Sequence, residues 1–552
     1  MNPRNHAASI VLFAIALALC IVSRPALSSA PQRNELPVFN VKASGATGDG
    51  QTIDTNAINR AIDAAAAAGG GTVYFPAGNY LSVSIHLKSN ISLYLDHGAT
   101  IIAATPANDV KYDPPEPNPW DQYQDFGHSH WHNSLIWGEN LNNVSIMGPG
   151  MIWGKGLVRN GGQSRTQQQN DALNAARDNE PKHPFGYPNP RDAVESGWAN
   201  KSIALKLCRN VIIRDITILH GGHFAILATG VDNLTIDNVK IDTNRDGIDV
   251  DACKNVRISN CTVNSPFDDA ICPKSSFALG YARATENVTI TNCQVSGYDE
   301  GTLLDGTYKR EYNRYSVNSG PTGRIKFGTE SNGGFKNITI SNCVFDYCRG
   351  LALESVDGGN LEDVTISNIT MRDITNCPIF LRLGSRLRGP AGTPMSALRR
   401  VTLSNIVVYN AEPKYASIIS GIPGHDIEDV TLDNIRIYYK GGGTKAQAAL
   451  QPEEKETAYP EPSMFGEIPA YGFFVRHVRG LQMHNMNLAS LTADARPAFV
   501  IIDAKEVELN RIAANAAHGV PTLVLQNAED FSIQESRTLP SVRLKRVVRR
   551  QF

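Results

Sequence analysis

One four-residue pattern, a polar residue followed by apolar, polar and apolar, recurs along most of the chain. It reads Asn143-Val-Ser-Ile, Asn210-Val-Ile-Ile, Asn233-Leu-Thr-Ile, Asn255-Val-Arg-Ile, Asn287-Val-Thr-Ile and Asn337-Ile-Thr-Ile. It continues through Asp363-Val-Thr-Ile, Arg400-Val-Thr-Leu, Asp429-Val-Thr-Leu, Gly480-Leu-Gln-Met and Glu506-Val-Glu-Leu. Alternation of this kind marks short strands with one buried face. The tightest spacings are 255 − 233 = 22 and 233 − 210 = 23 residues. A period of that size means a solenoid whose coils stack on one another. The expected fold is all-β, a right-handed parallel β-helix.

Positions within each coil repeat as well. Five residues after the anchor stand Asn238, Asn260, Asn292, Asn342, Asn368, Asn405, Asn434 and Asn485. Asn tolerates left-handed backbone geometry, and stacked Asn side chains can hydrogen-bond as a ladder, so a bend repeated in register is expected there. One residue further on, Cys261, Cys293 and Cys343 alternate with Val239, Ile369, Ile406 and Ile435. These cysteines are therefore expected as free, buried small hydrophobes. Asp54 or Thr55 opens a helix through Ile58, Ile62 and an alanine run, stopped by Gly69-Gly70-Gly71, which would cap the solenoid's open end. Long gaps between anchors imply loops thrown out at about 105–135, 159–200, 300–322 and 440–475.

Residues 1–30 read as a secretory signal: Arg4, then an apolar stretch from Ile10 to Val22, then Ser28-Ser29-Ala30 as a cleavage site. A single β-helix catalytic domain over 31–540 is expected to follow, secreted or periplasmic, and then a solvated basic tail over 541–552. No later apolar run is long enough to span a bilayer, so no membrane anchor is expected. A formal net charge of −2 argues against nucleic acid as partner. A monomer without cofactor or metal is expected.

The acidic residues carry the chemistry. Asp246 lies 246 − 233 = 13 residues after its anchor, and Asp268 lies 268 − 255 = 13 after the next. Equal offsets on stacked coils place the two roughly 4.8 Å apart, one strand spacing, and Asp269 follows directly. Three crowded carboxylates repel, so at least one should keep a proton near neutral pH. A protonated carboxyl beside ionised ones suits glycoside hydrolysis, one group protonating the leaving oxygen and another activating water. The plainer alternative is that Asp246-Gly247 is a turn and the others are bend residues. Asp242, Asp249 and Asp251 have no matched partner and are read as turn or surface residues.

Asn244-Arg245-Asp246-Gly247-Ile248-Asp249, followed by Phe267-Asp268-Asp269-Ala270-Ile271 and Lys274, resembles the polygalacturonases of glycoside hydrolase family 28. Gly45-Ala46-Thr47-Gly48-Asp49-Gly50 and Gly70-Gly71-Thr72-Val73-Tyr74-Phe75-Pro76 are similar to the family's entry coils. The resemblance spans about residues 38–440. It implies inverting hydrolysis of galacturonan or rhamnogalacturonan, with Asp268 as general acid and Asp246 and Asp269 activating water. Asn244 and Lys274 would then touch substrate. Two departures stand out. The family's Gly-His-Gly is missing, the nearest stretches being Tyr298-Asp299-Glu300-Gly301 and Thr322-Gly323-Arg324. The family's Arg-Ile-Lys grip on a uronate becomes Ala352-Leu353-Glu354, where an anion should repel a uronate. Arg324-Ile325-Lys326, one coil earlier, either reaches the sugar from there or is a charged strand face. Glu300, Arg324, Lys326 and Glu354 thus join the substrate-binding candidates.

Weaker signals remain. His128-Ser-His130-Trp131-His132 is either a metal-binding strand or, better, a polar loop with a sugar-stacking Trp. The aromatic loop from Tyr459 to His477 either walls one end of the groove or packs on the solenoid. His223 is read as a buried, satisfied histidine. A polysaccharide lyase using Ca²⁺, and a non-catalytic carbohydrate-binding helix, stay open as alternatives.

Overall fold

The computed structural model describes residues 37–124, 127–158, 197–311 and 320–552. The expected signal segment and most of the 159–200 insertion lie outside these residues, as does part of the 300–322 loop. The described chain winds as a parallel β-helix, each strand pairing with its counterpart one coil before and one coil after. Strand Asp232–Asp237 pairs with Arg209–Arg214 behind it and Lys254–Ser259 ahead of it. Ile213, Ile236, Ile258, Ile290, Ile340 and Ile366 consequently stack through the interior, all fully buried. Each such side chain contributes about 1.5–3 kcal/mol.

The bends obey the expected geometry. Asn238, Asn260, Asn292, Asn342, Asn368, Asn405, Asn434 and Asn485 all have φ between 51° and 57°, where Asn is among the few side chains tolerated. Their amides form a ladder, as from Asn342 to Asn292 at 3.3 Å and Asn405 to Asn368 at 3.1 Å. The anchor asparagines build a second ladder, from Asn143 to Asn90 through Asn337 to Asn287. Cys261, Cys293 and Cys343 are buried free thiols in the core, as their shared offset implied.

Helix Thr55–Ala67 covers the first coils with Ala57, Ile58, Ala61, Ile62 and Ala65. Asp54 stands at its N-cap, but its carboxylate instead accepts from the Thr47 and Gly48 amides at 2.7 and 3.0 Å. A side chain at Gly70, with φ 134°, would come 2.7 Å from the Asn90 carbonyl, which explains the glycine stop. The basic C-terminus is not a loose tail. Strand Val542–Gln551 pairs antiparallel with Leu523–Gln534, covering the last parallel edge while its Arg and Lys side chains stay exposed. An open edge is a template for further pairing, and a charged cover blocks it.

Candidate active site

One face of the helix carries the acidic residues. Its strands run Lys201–Lys206, Phe224–Thr229, Asp246–Asp251 and Ile271–Lys274, then Lys326–Phe327 and Leu351–Ser355. Ile248 and Val250 point into the core, so the alternation sends Asp249 and Asp251 outward. Gly247 faces inward, where a Cβ would lie 2.4 Å from both the Val263 side chain and the Ala270 carbonyl. That close approach, rather than a hairpin-type turn, requires glycine and lets Asp246 swing out.

The register differs from the equal-offset count by one residue. Asp242 pairs with Asn264, a step of 22, but Ile248 pairs with Ile271, a step of 23. The extra residue sits in the bend between Asn264 and Ile271. It sets Asp269 level with Asp246 and moves Asp268 out to the rim. The expected convergence nevertheless holds: carboxylate oxygens of Asp246 and Asp268 lie within 4.8 Å of each other and of a His223 ring nitrogen. The Asp269 amide approaches both, at 3.3 Å from Asp246 and 3.1 Å from Asp268.

Each carboxylate has a different environment. Asp269 is buried, with Arg324 Nε at 2.8 Å and Lys326 Nζ at 3.0 Å. Burial opposes ionisation, yet Lys326 and Arg324 outweigh it and hold Asp269 below its ordinary range. Arg324-Ile325-Lys326 therefore reaches the site. Asp268 keeps a quarter of its side chain exposed and meets Arg245 at 2.8 Å. Burial raises it, but Arg245, Lys326 and Lys274 together leave it lowered. Asp246 is raised well above the carboxylate range, by burial first and then by Asp249 and Asp268. The three groups titrate as a set whose proton rests chiefly on Asp246.

Several sequence readings need correction. Asp249 is no surface residue: it is fully buried, 3.5 Å from Lys274 Nζ, and burial pushes it up to about 8. Asp251 is buried and accepts from the Ser276 amide and hydroxyl. Asp242, equally buried, accepts from the Gly301, Leu303 and Leu304 amides. Asn244 and Glu300, expected to touch substrate, are withdrawn from solvent. Both are fully buried, Asn244 donating to Glu300 at 2.9 Å, with His220 at 2.8 Å on the other carboxylate oxygen. Glu354 is sealed as well, neither oxygen having a hydrogen-bond partner among the described residues. Burial raises it to about 8, so it is mostly neutral at pH 7 and does not repel a uronate as its position suggested. Lys274 lies among Asp246, Asp249 and Glu330 at 3.9, 3.5 and 3.4 Å, raised despite burial by Asp249 and its neighbours, and fixed as a cation.

Two loops border the cluster. Loop 105–135 brings His128 within 3.9 Å of Asp249, Asp251 and Glu330. Burial drives His128 down to about 3. The three histidines do not converge: His130 pairs with Asp121 and His132 with Glu139. Trp131 is fully buried against Ala204, Phe224 and Leu227, so it cannot stack on a sugar. His223, buried beside Phe224, lies 4.0 Å from Asp246 and belongs to the site. On the other side, loop 440–475 both packs on the solenoid and walls the site. Phe465 and Ile468 cover Phe380, Ile418 and Phe474. Arg382 and Arg476 donate to the loop carbonyls of Pro452, Glu453, Glu454 and Lys455 at 2.7–3.4 Å. This anchoring delivers Tyr459 and Glu461 to the cations beside Asp269. Period-two alternation could have flagged Asp249, and the alternating histidines drew notice to His128 for a different role, but nothing local in sequence places Glu461 beside Arg324.

A protein-family model described as "Rhamnogalacturonase A/epimerase, pectate lyase-like" matches residues 38–184. A second, "Right handed beta helix region", matches residues 194–297. The chain is 26% identical over 335 residues to a probable polygalacturonase of Vitis vinifera, covering 56% of this chain and 60% of that one. It is 23% identical over 426 residues to the exo-poly-alpha-D-galacturonosidase of Dickeya chrysanthemi, covering 71% of this chain and 65% of that one. The chain is thus similar to polygalacturonases and to right-handed β-helix proteins. It spans less than two thirds of the length of either relative. Among solved structures, the family 28 exopolygalacturonase of Yersinia enterocolitica superposes with a TM-score of 0.61 at 19% identity, covering 88% of this chain and 80% of that one. At that identity the likeness establishes the fold, a right-handed parallel β-helix.

Proposed function

We propose that this polygalacturonase-like chain is a secreted glycoside hydrolase that cleaves a pectin-type polysaccharide, galacturonan or rhamnogalacturonan, by inverting acid/base hydrolysis. The observation that carries this reading is the convergence of Asp246, Asp268 and Asp269 with unequal environments. Asp269, fixed between Arg324 and Lys326, stays an anion. Asp246 and Asp268 share one proton. In the productive form that proton is on Asp268, whose rim position lets it reach a glycosidic oxygen once a sugar displaces Arg245.

The C–O bond then breaks as Asp268 gives its proton to the leaving oxygen. Water attacks the anomeric carbon from the opposite face, and its proton passes to Asp246. That restores the resting distribution, with Asp246 protonated and Asp268 ionised, so a proton shift between the two closes the cycle. The carboxyls stand closer than the roughly 6.5–9.5 Å usual for inversion, so water must enter beside Asp246 and Asp269 rather than between Asp246 and Asp268. The tethered 440–475 loop supports attack near chain ends.

One observation keeps the lyase alternative in view, namely that His223, Asp246 and Asp268 offer three converging ligand atoms for a cation. Against it, Lys274 and Lys326 are held as cations and make poor bases. Incubation with galacturonan and rhamnogalacturonan oligomers separates the readings. Hydrolysis yields new saturated reducing ends and survives chelation; a lyase yields unsaturated ends absorbing in the near ultraviolet and is silenced by chelator. A mere binder retains sugar affinity after Asp268→Asn and releases no product.

A further inference from the structure

Beside Asp269 lies a cluster of cations that already holds a second carboxylate. Glu461, from the 440–475 loop, accepts a hydrogen bond from Arg324 at 2.7 Å and lies 2.9 Å from Arg349 as an ion pair without hydrogen-bond geometry. Lys326 stands alongside, with Tyr459 at 3.4 Å. Of these cations, Arg324 and Lys326 share Asp269, leaving Arg349 and the remaining face of Arg324 for a second anion. Glu354, the other nearby carboxyl, makes no hydrogen bond to them. Glu461 and Arg349 each keep about 15% of the side chain exposed, so this ion pair reaches solvent and is not sealed in the core.

We propose that Glu461 is a specificity-determining residue, an internal surrogate for a uronate carboxylate, so that the subsite beside Asp269 takes a sugar without a charged group. Two arginines facing an open subsite would otherwise select a uronic acid through charge-assisted bonds. With Glu461 in place, a second carboxylate entering the subsite meets an anion instead of a vacant fork. The loop holding Glu461 is not free to lift away, because Arg382, Arg476 and Arg496 tie its backbone down and Phe465 is sunk among apolar side chains. Its neighbours Pro460 and Pro462 restrict the backbone further. The proposal rests on the reading of this site as one that binds pectic sugars.

The test compares binding of galacturonic acid with its neutral counterpart galactose, by calorimetry, on the full chain. Wild type should show no preference for the acid. Glu461→Ala, which removes that carboxylate, should bind galacturonic acid at least tenfold more tightly than wild type while galactose changes little. Adding Arg349→Ala should erase that gain. Glu461→Gln keeps the volume and removes the charge, and should shift the preference in the same direction by less, which guards against a misfolded alanine variant. A wild type that already prefers galacturonic acid, or variants whose preference does not move, would overturn the proposal. Because binding needs no turnover, a wild type inert toward every pectic oligomer would sink the hydrolase reading and leave this result standing.

Discussion

Glu354 offers a sharp test of the site's electrostatics. The structure buries it completely beside Arg324 and Lys326, yet gives neither oxygen a hydrogen bond among the described residues, and its pKa rises from 4.5 to about 8, chiefly through burial. Between those values the folded protein keeps a proton that the unfolded chain has released. The folded state then binds more protons than the unfolded one, so stability falls as pH rises, by up to about 1.4 kcal/mol per pH unit. From pH 5 to pH 7 the full effect is about 2.5 kcal/mol, and roughly 1–2 kcal/mol once relaxation around the group is allowed for. Glu354→Gln replaces the neutral acid with a neutral amide of the same shape and removes this slope. Urea unfolding of both proteins at intervals from pH 5 to pH 8 measures it. The variant should match wild type near pH 5 and become progressively more stable above it. Equal slopes, or a variant less stable than wild type at pH 7, would mean that Glu354 is ionised and paired with Lys326, and the reasoning would fail.

Two further outcomes follow from the same geometry. Alkylation without reduction should leave Cys261, Cys293 and Cys343 unmodified in the folded protein and label all three after unfolding, as mass spectrometry can check; a disulfide-linked peptide containing any of them would contradict the stacked-thiol core. The pH profile of kcat/KM on pectic oligomers should be bell-shaped, its acid limb reflecting Asp269 held low by Lys326 and Arg324, and its alkaline limb the loss of the proton shared by Asp246 and Asp268. Lys326→Met removes one of those cations, so the acid limb should move to higher pH; an unmoved limb would assign it to another group.

How much of this could be read from the residues depends on what is local. The solenoid was legible because each coil restates the same pattern, and the Asn ladders follow from one residue type recurring at one offset. The aspartate cluster was legible for the same reason, though displaced by one position. Alternation fixes the strands, but nothing in it counts the residues of the bend between Asn264 and Ile271. Burial of Asn244, Glu300 and Glu354 was not legible, since a polar residue in a bend or on a strand looks alike whether it faces water or a covering loop. The covering loops were visible as interruptions with suggestive residues, but not in what they touch. What they deliver, His128 on one side and Glu461 on the other, depends on contacts across roughly a hundred residues or more: His128 to Asp249 (249 − 128 = 121) and Arg324 to Glu461 (461 − 324 = 137).

Inverting hydrolysis by the aspartate cluster fixes the anomeric configuration of the first product. Proton NMR of a defined pectic oligomer during the earliest turnovers should find a new reducing end of inverted configuration, absent with Asp268→Asn. A retained anomer would make one carboxylate a nucleophile, as a separation near 5 Å would favour. An unsaturated product, or undiminished turnover by Asp268→Asn, would contradict the account outright.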